Sequence, residues 1–203
     1  MVGMFYSASA FNQPLSLDTS SVTDMGFMFR SASAFNQPLS LDTSRVTTLS
    51  SIFDSASAFN QPVTLDTSSV TSMGFMFQCA RAFNQPVSFD TSSVTNMRSM
   101  FQYATAFNQL LRLDTSSVTT MRSMFKYATA FNQPLSLDTS SVADMGDMFA
   151  VRGRPCMPFA PSVPNRVLCK SPPRAAPLTP RVVPVLVTPR HTACECVQQA
   201  AEF

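Results

Sequence analysis

The tripeptide Phe-Asn-Gln begins at Phe11, Phe35, Phe59, Phe83, Phe107 and Phe131, a spacing of 24 residues with no slippage. A fixed period of this length constrains the fold more than any other property of the chain, because it marks stacked units rather than one irregular core. The full unit reads FNQPLSLDTSSVTDMGFMFRSASA from Phe11 to Ala34. Six units run to about residue 150, and the pattern is lost after Phe149. A half unit precedes them, with Met4-Phe5 where the next unit has Met28-Phe29. Since the chain starts inside a repeat, we expect its N-terminus to be a truncation of a longer protein.

Positions 24 apart form columns, and what each column tolerates separates inside from outside. Apolar columns contain Phe11, Leu15, Leu17, Val22, Met25, Met28, Phe29, Ala32 and Ala34. Exchanges within them, such as Leu15 to Val63 or Met28 to Ile52, keep apolar character and approximate volume, as packed cores require. Asp24 gives way to Thr48, Ser72 and Asn96, and Arg30 to Asp54, Gln78 and Lys126, which marks those columns as solvated.

Local structure follows from periodicity. Leu15-Ser16-Leu17 alternates apolar and polar, the period of a half-buried strand. Asp18-Thr19-Ser20-Ser21 is a turn cluster of short side-chain oxygens that bond nearby N–H groups. Val22 to Met25 alternates again as a second extended piece. Met25, Met28, Phe29 and Ala32 fall at i, i+3, i+4 and i+7, one face of a short helix. No unit of this kind buries its apolar face alone, but stacked units do. Stacking also gives the Asn12 column a role, as a buried ladder bonding backbone of its own and the next coil. The expected architecture is a repeat solenoid over residues 1–150, a leucine-rich-repeat-like stack of short parallel strands, turns and short helices.

The net charge of +2 conceals two unlike parts. Residues 1–149 carry seven basic side chains against ten Asp, a net of −3; residues 150–203 carry seven basic against two Glu, a net of +5. The positive balance belongs to the tail and is no argument for nucleic-acid binding by the repeats. Ten of the fifteen Pro lie between Pro155 and Pro189, so residues 151–203 read as a Pro-rich basic tail, disordered or extended, without regular helix or sheet. An alternative origin for this tail is a frameshift or read-through that cut the array short. No apolar stretch reaches the roughly 18–20 residues of a transmembrane helix, and Met1–Ala10 does not read as a secretory signal. The five Cys show no repeated spacing, so no disulfide framework is legible.

The combination of FNQ, DTSSVT, M-x-x-MF and an Ala-rich corner resembles the BspA-like leucine-rich-repeat surface proteins, closest to their lipoprotein-associated branch. The resemblance covers residues 4–149. Where that family usually has Trp, this chain has Leu17, Leu41, Leu65, Phe89, Leu113 and Leu137, which keeps the position apolar. The resemblance implies a cell-surface or secreted adhesion or interaction role, and it implies no catalytic residues or cofactor.

Asp18, Asp42, Asp66, Asp90, Asp114 and Asp138 form a carboxylate column that suits either calcium or simple turn capping; the turn reading is preferred, since Gly-rich calcium-turn spacing is missing. The Thr19 and Thr23 columns are expected to form hydroxyl rows on a flat face, yet without the T-x-T pattern of ice-binding surfaces. Cys194-Glu195-Cys196 near His191 matches no standard zinc spacing, even with Cys156 or Cys169 added. His191 is the only His, and carboxylates in identical environments do not supply the split pKa values of acid–base pairs, so no enzyme is expected. Arg81, at the end of the third unit, and Arg98, Tyr103, Arg112, Arg122, Lys126 and Tyr127, in the fourth and fifth, cluster at variable columns and form the candidate interaction patch. The expected function is a non-catalytic module that binds protein or glycan; the alternative is a structural spacer with no specific ligand.

Overall fold

The computed structural model describes residues 1–151 and two strands beyond them. Within 1–151 successive units lie in parallel, each 24 residues after the last. Parallel bridges run Asp24↔Thr48, Thr48↔Ser72, Ser72↔Asn96, Asn96↔Thr120 and Thr120↔Asp144.

The short helix expected over Met25–Ala32 does not form, and a train of turns takes its place. Met25, Phe27, Phe29 and Ser31 donate their N–H groups to the carbonyls of Thr48, Ser50, Ile52 and Asp54 in the next coil. Met28, Arg30 and Ala32 donate instead to Met25, Phe27 and Phe29, three residues back. A helix would direct every N–H along its own axis; here every second one is claimed by the neighbouring coil. The turns are made possible by left-handed backbone at two positions per coil, φ 61° at Phe27 and 59° at Ser31 in the first unit. Left-handed backbone at the third residue of a turn is the type II geometry. Apolar spacing alone cannot distinguish this train from a helix, since both bury Met25, Met28, Phe29 and Ala32.

The Leu15–Leu17 segment behaves differently from the expected strand. Only its sixth copy pairs as one, β1 (Leu135–Asp138). Elsewhere side chains tie the coils here: Asp42 N–H donates to Thr19 Oγ1 at 2.8 Å, and Thr43 Oγ1 donates to the Asp66 carbonyl at 2.9 Å. Thr19 is 2% exposed and its copies are equally buried. The Thr19 hydroxyls are therefore internal cross-links and form no surface row, which corrects the sequence reading.

β1 pairs in parallel with β3 (Pro184–Thr188), and β3 pairs antiparallel with β2 (Arg166–Leu168). These two short segments lie within the stretch that the sequence marks as a Pro-rich basic tail. Val185, Leu186 and Val187 supply strand-favouring residues, and Pro184 stands first, where its missing N–H breaks no ladder. The Cys and His residues weighed as tail metal ligands lie outside the described residues.

Two Phe columns form the spine of the core. Phe29, Phe53, Phe77, Phe101, Phe125 and Phe149 follow one another with centroids 5.5–5.8 Å apart. Phe35, Phe59, Phe83 and Phe107 are spaced at 5.9–6.0 Å. Rings of the two columns also meet within a coil, as Phe53 and Phe59 do at 4.1 Å. Beside them runs the amide ladder: Asn36, Asn60, Asn84, Asn108 and Asn132 each donate a backbone N–H to the Asn side-chain oxygen of the preceding coil at 2.8–2.9 Å. These Asn residues are exposed or half-buried rather than buried, because the ladder runs along a corner and Gln side chains lie over it. Gln37, for example, donates to Asn12.

Candidate functional site

The turn train sets the surface chemistry. Half of the non-Gly positions in its two left-handed columns hold Ser: Ser51, Ser99 and Ser123 in one, Ser7, Ser31 and Ser55 in the other. At four places the same columns hold aromatic rings, Phe27, Phe75, Tyr103 and Tyr127, with φ between 58° and 61°. Left-handed backbone costs a residue with a Cβ roughly 1–2 kcal/mol, and it is least tolerable for branched or bulky side chains. The Ser copies show that the coil closes without a ring.

Each cation near these rings is placed by the same geometry. The Arg30 guanidinium carbon stands 5.7 Å from the Tyr6 centroid and 5.6 Å from that of Phe27, while Arg30 Nε pairs with Asp54 at 3.0 Å. Arg98 lies 5.7 Å from the Phe75 centroid. Lys126 Nζ is 5.7 Å from the Tyr127 centroid and 2.7 Å from Asp147 Oδ2. Tyr127 stacks on Tyr103 at 4.6 Å. Arg122 faces Asp144 at 3.5 Å. The hydrogen bond from Lys126 to Asp147 holds the ammonium pKa above its ordinary value.

Of the seven patch residues, Tyr103, Tyr127 and Lys126 thus touch directly, and Arg98 and Arg122 share the column that Gly26 occupies in the first unit. Arg81 and Arg112 stand in other columns, those of Ser33 and Ser16, and both are exposed. Sequence reasoning did not include Tyr6, Phe27, Arg30 or Phe75. The signal was present as the exchange of Phe27 for Ser51 and of Phe75 for Ser99, an apolar-to-polar swap that no core column shows. The Arg30 column is not uniformly solvated, contrary to what its exchanges suggest, since Asp54 is only 4% exposed. Its burial pushes the carboxyl pKa up, partly offset by Ser55 and Arg30.

A substitution at Ser31 tests the left-handed column. We expect Ser31→Val to cost about 1–2 kcal/mol, since a β-branched residue is poorly accommodated at this φ, and Ser31→Gly to cost nothing. Urea denaturation of the two variants measures the difference, and equal stabilities would mean that the turn train readily rearranges.

The carboxylate column is engaged within its own turns. Asp18, Asp42, Asp66, Asp90 and Asp114 each accept the side-chain hydroxyl, at 2.7 Å, and the backbone N–H of the Ser two residues on. Asp138 accepts the Ser140 N–H at 2.8 Å. These bonds lower all six pKa values. A depressed folded pKa stabilises the fold above the ordinary carboxylate range, near pH 4, and that stability is lost as pH falls through the folded values. Asp54 has the opposite sign, and its raised pKa weakens the fold as pH rises through the ordinary carboxylate range. With six groups against one, the thermal midpoint should fall on acidification below about pH 4. Asp-to-Asn replacement along the column should flatten that profile, and an unchanged profile would show that the Ser bonds contribute nothing.

No curated protein and no solved structure matches the chain. The repeats do match a family: residues 1–88, 39–115 and 63–154 each align with it, in overlapping stretches that together span all six units. The chain belongs to the tandem-repeat family described as "Mycoplasma protein of unknown function, DUF285".

Proposed function

We propose that residues 1–150 form a leucine-rich-repeat-like solenoid of the BspA-like type, and that it is a non-catalytic module binding a protein or glycan at the cell surface or outside the cell. The observation that carries the reading is the distribution of rings and cations. Tyr103, Tyr127, Lys126, Arg98 and Arg122 all lie in the turn trains of two adjacent coils, where a spacer under no surface selection would scatter them. Tyr and Arg are also the residue types that dominate binding hot spots. The non-catalytic reading is supported by the Asp column, whose members share one environment and are each satisfied by a neighbouring Ser.

The second reading, a structural spacer, is favoured by the near identity of the Phe, Asn and Asp columns. Capture from the surface fraction of the producing cells separates the two. The module reading expects a specific partner that is retained by the native chain and depleted by Arg98→Glu/Arg122→Glu at native thermal stability. The spacer reading expects no partner that distinguishes the two proteins, and that result would remove the proposal.

A further inference from the structure

Resting on that reading, the geometry points to an extended acidic peptide as the ligand of the ring-and-cation side of units three to six. Each ring there already has at least one face covered. Tyr103 and Tyr127 cover one face of each other at 4.6 Å, Lys126 stands over Tyr127, and Arg98 stands over Phe75. A neutral sugar stacks on open ring faces, so this arrangement does not favour it. Ring edges remain, and the edge of an aromatic ring is its positive side.

The cations complete the argument. Among the described residues Arg98 enters no ion pair, and Arg122 has one at 3.5 Å in which both side chains are more than 40% exposed. Such a pair is weak and exchangeable. A guanidinium lying against a ring keeps its planar fork of donors for a carboxylate, and two-donor contacts of this kind are among the stronger hydrogen bonds. Backbone bonds flank the two arginines: Met97 donates to Thr120 at 3.0 Å and Ser99 donates to Arg122 at 2.8 Å. They therefore start from adjacent coils, about 5 Å apart. Side chains two apart on an extended peptide lie about 7 Å apart on one side, a span that two flexible Arg side chains reach. A Glu-x-Glu segment running along the stack would place successive carboxylates on Arg98 and Arg122, with the intervening side chain on the opposite side of the peptide. Like charges in successive coils repel, and an acidic ligand relieves that repulsion.

The test is fluorescence anisotropy of a fluorescein-labelled peptide of alternating Glu and Val, titrated with the full chain. Binding should weaken with salt. Arg98→Glu/Arg122→Glu should weaken it about tenfold or more at unchanged thermal midpoint, whereas Arg45→Glu, in the Ser21 column, should leave it unchanged. Should the double reversal not fold, Tyr103→Ser/Tyr127→Ser decides, because Ser occupies that column at Ser7 and Ser31, and it too should weaken binding. No peptide binding, equal weakening by Arg45→Glu, full binding by the folded variants, or binding of polygalacturonate in place of the peptide each overturns the assignment. A chain that ignores the peptide yet captures a surface protein through Arg98 and Arg122 refutes the peptide and leaves the interaction module standing. One that does neither refutes both.

Discussion

Phe59→Ala should lower the unfolding free energy by about 3–5 kcal/mol, and Phe11→Ala by clearly less. Phe59 is fully buried and meets Phe53 at 4.1 Å, Phe35 at 5.9 Å and Phe83 at 6.0 Å. Truncation therefore removes ring contacts on both sides and opens a cavity between three coils, whose backbones cannot collapse because hydrogen bonds fix their separation. Phe11 is half-buried. It meets Phe5 at 4.5 Å and Phe35 at 5.8 Å, and water replaces part of what the ring loses. In a stack where each unit contacts only its neighbours, a central defect weakens two interfaces and also uncouples the units on either side of it. Urea denaturation with unchanged slopes reads both losses directly. Equal losses at the two sites would contradict a linear array.

How much of this was legible beforehand depends on what each residue's partner is. Column tolerance located the core: Met25, Met28, Phe29, Ala32 and Phe35 are all buried, because apolar exchange within a column reports packing directly. The conformation of the same residues was not legible. Spacings of three and four satisfy a helix, and nothing in the sequence says that the N–H of Phe27 belongs to Ser50 in the next coil. The left-handed backbone carries little Gly signature either, as the column holds Gly3 only in the first half unit and then Phe27, Ser51, Phe75, Ser99, Ser123 and Asp147. Thr19 was misplaced for a related reason. A hydroxyl in a polar turn reads as surface, and only the neighbouring coil reveals that it is the acceptor of the Asp42 N–H. The candidate surface was half legible. Tyr103, Tyr127, Lys126, Arg98 and Arg122 stood out as departures from the repeat, whereas Arg81 and Arg112 departed equally but project from other columns.

The same register argument makes a single-residue deletion far more damaging than the removal of a whole repeat. Inter-coil hydrogen bonds join residues 21–25 apart, most often 23, as in Met73 N–H to Asn96 at 2.9 Å, or 24, as in Asn60 N–H to Asn36 at 2.9 Å. Excising residues 59–82 joins Ala58 to Phe83, which restores Ala-Phe-Asn and leaves every remaining bond its equivalent partner. The shortened chain should fold, with a denaturation slope reduced by about the share of surface removed. Deleting Ser99 alone removes one step from the turn train. Met100 would inherit the N–H that points to Arg122, and Phe101 the one that turns back to Met97. As in a strand shifted by one residue, inside and outside then exchange. Met100 and Phe101, both fully buried, cannot stay in the core while the backbone keeps its bonds to unit five. The coil must give up several hydrogen bonds, at about 1 kcal/mol or more each, or a buried Met or Phe, at about 2–5 kcal/mol. Units four and five should uncouple, giving two unfolding transitions by circular dichroism where the 24-residue excision gives one. A single cooperative transition in the Ser99 deletion, at the native midpoint, would show that the coils tolerate slippage and that the 24-residue register does not hold the stack together.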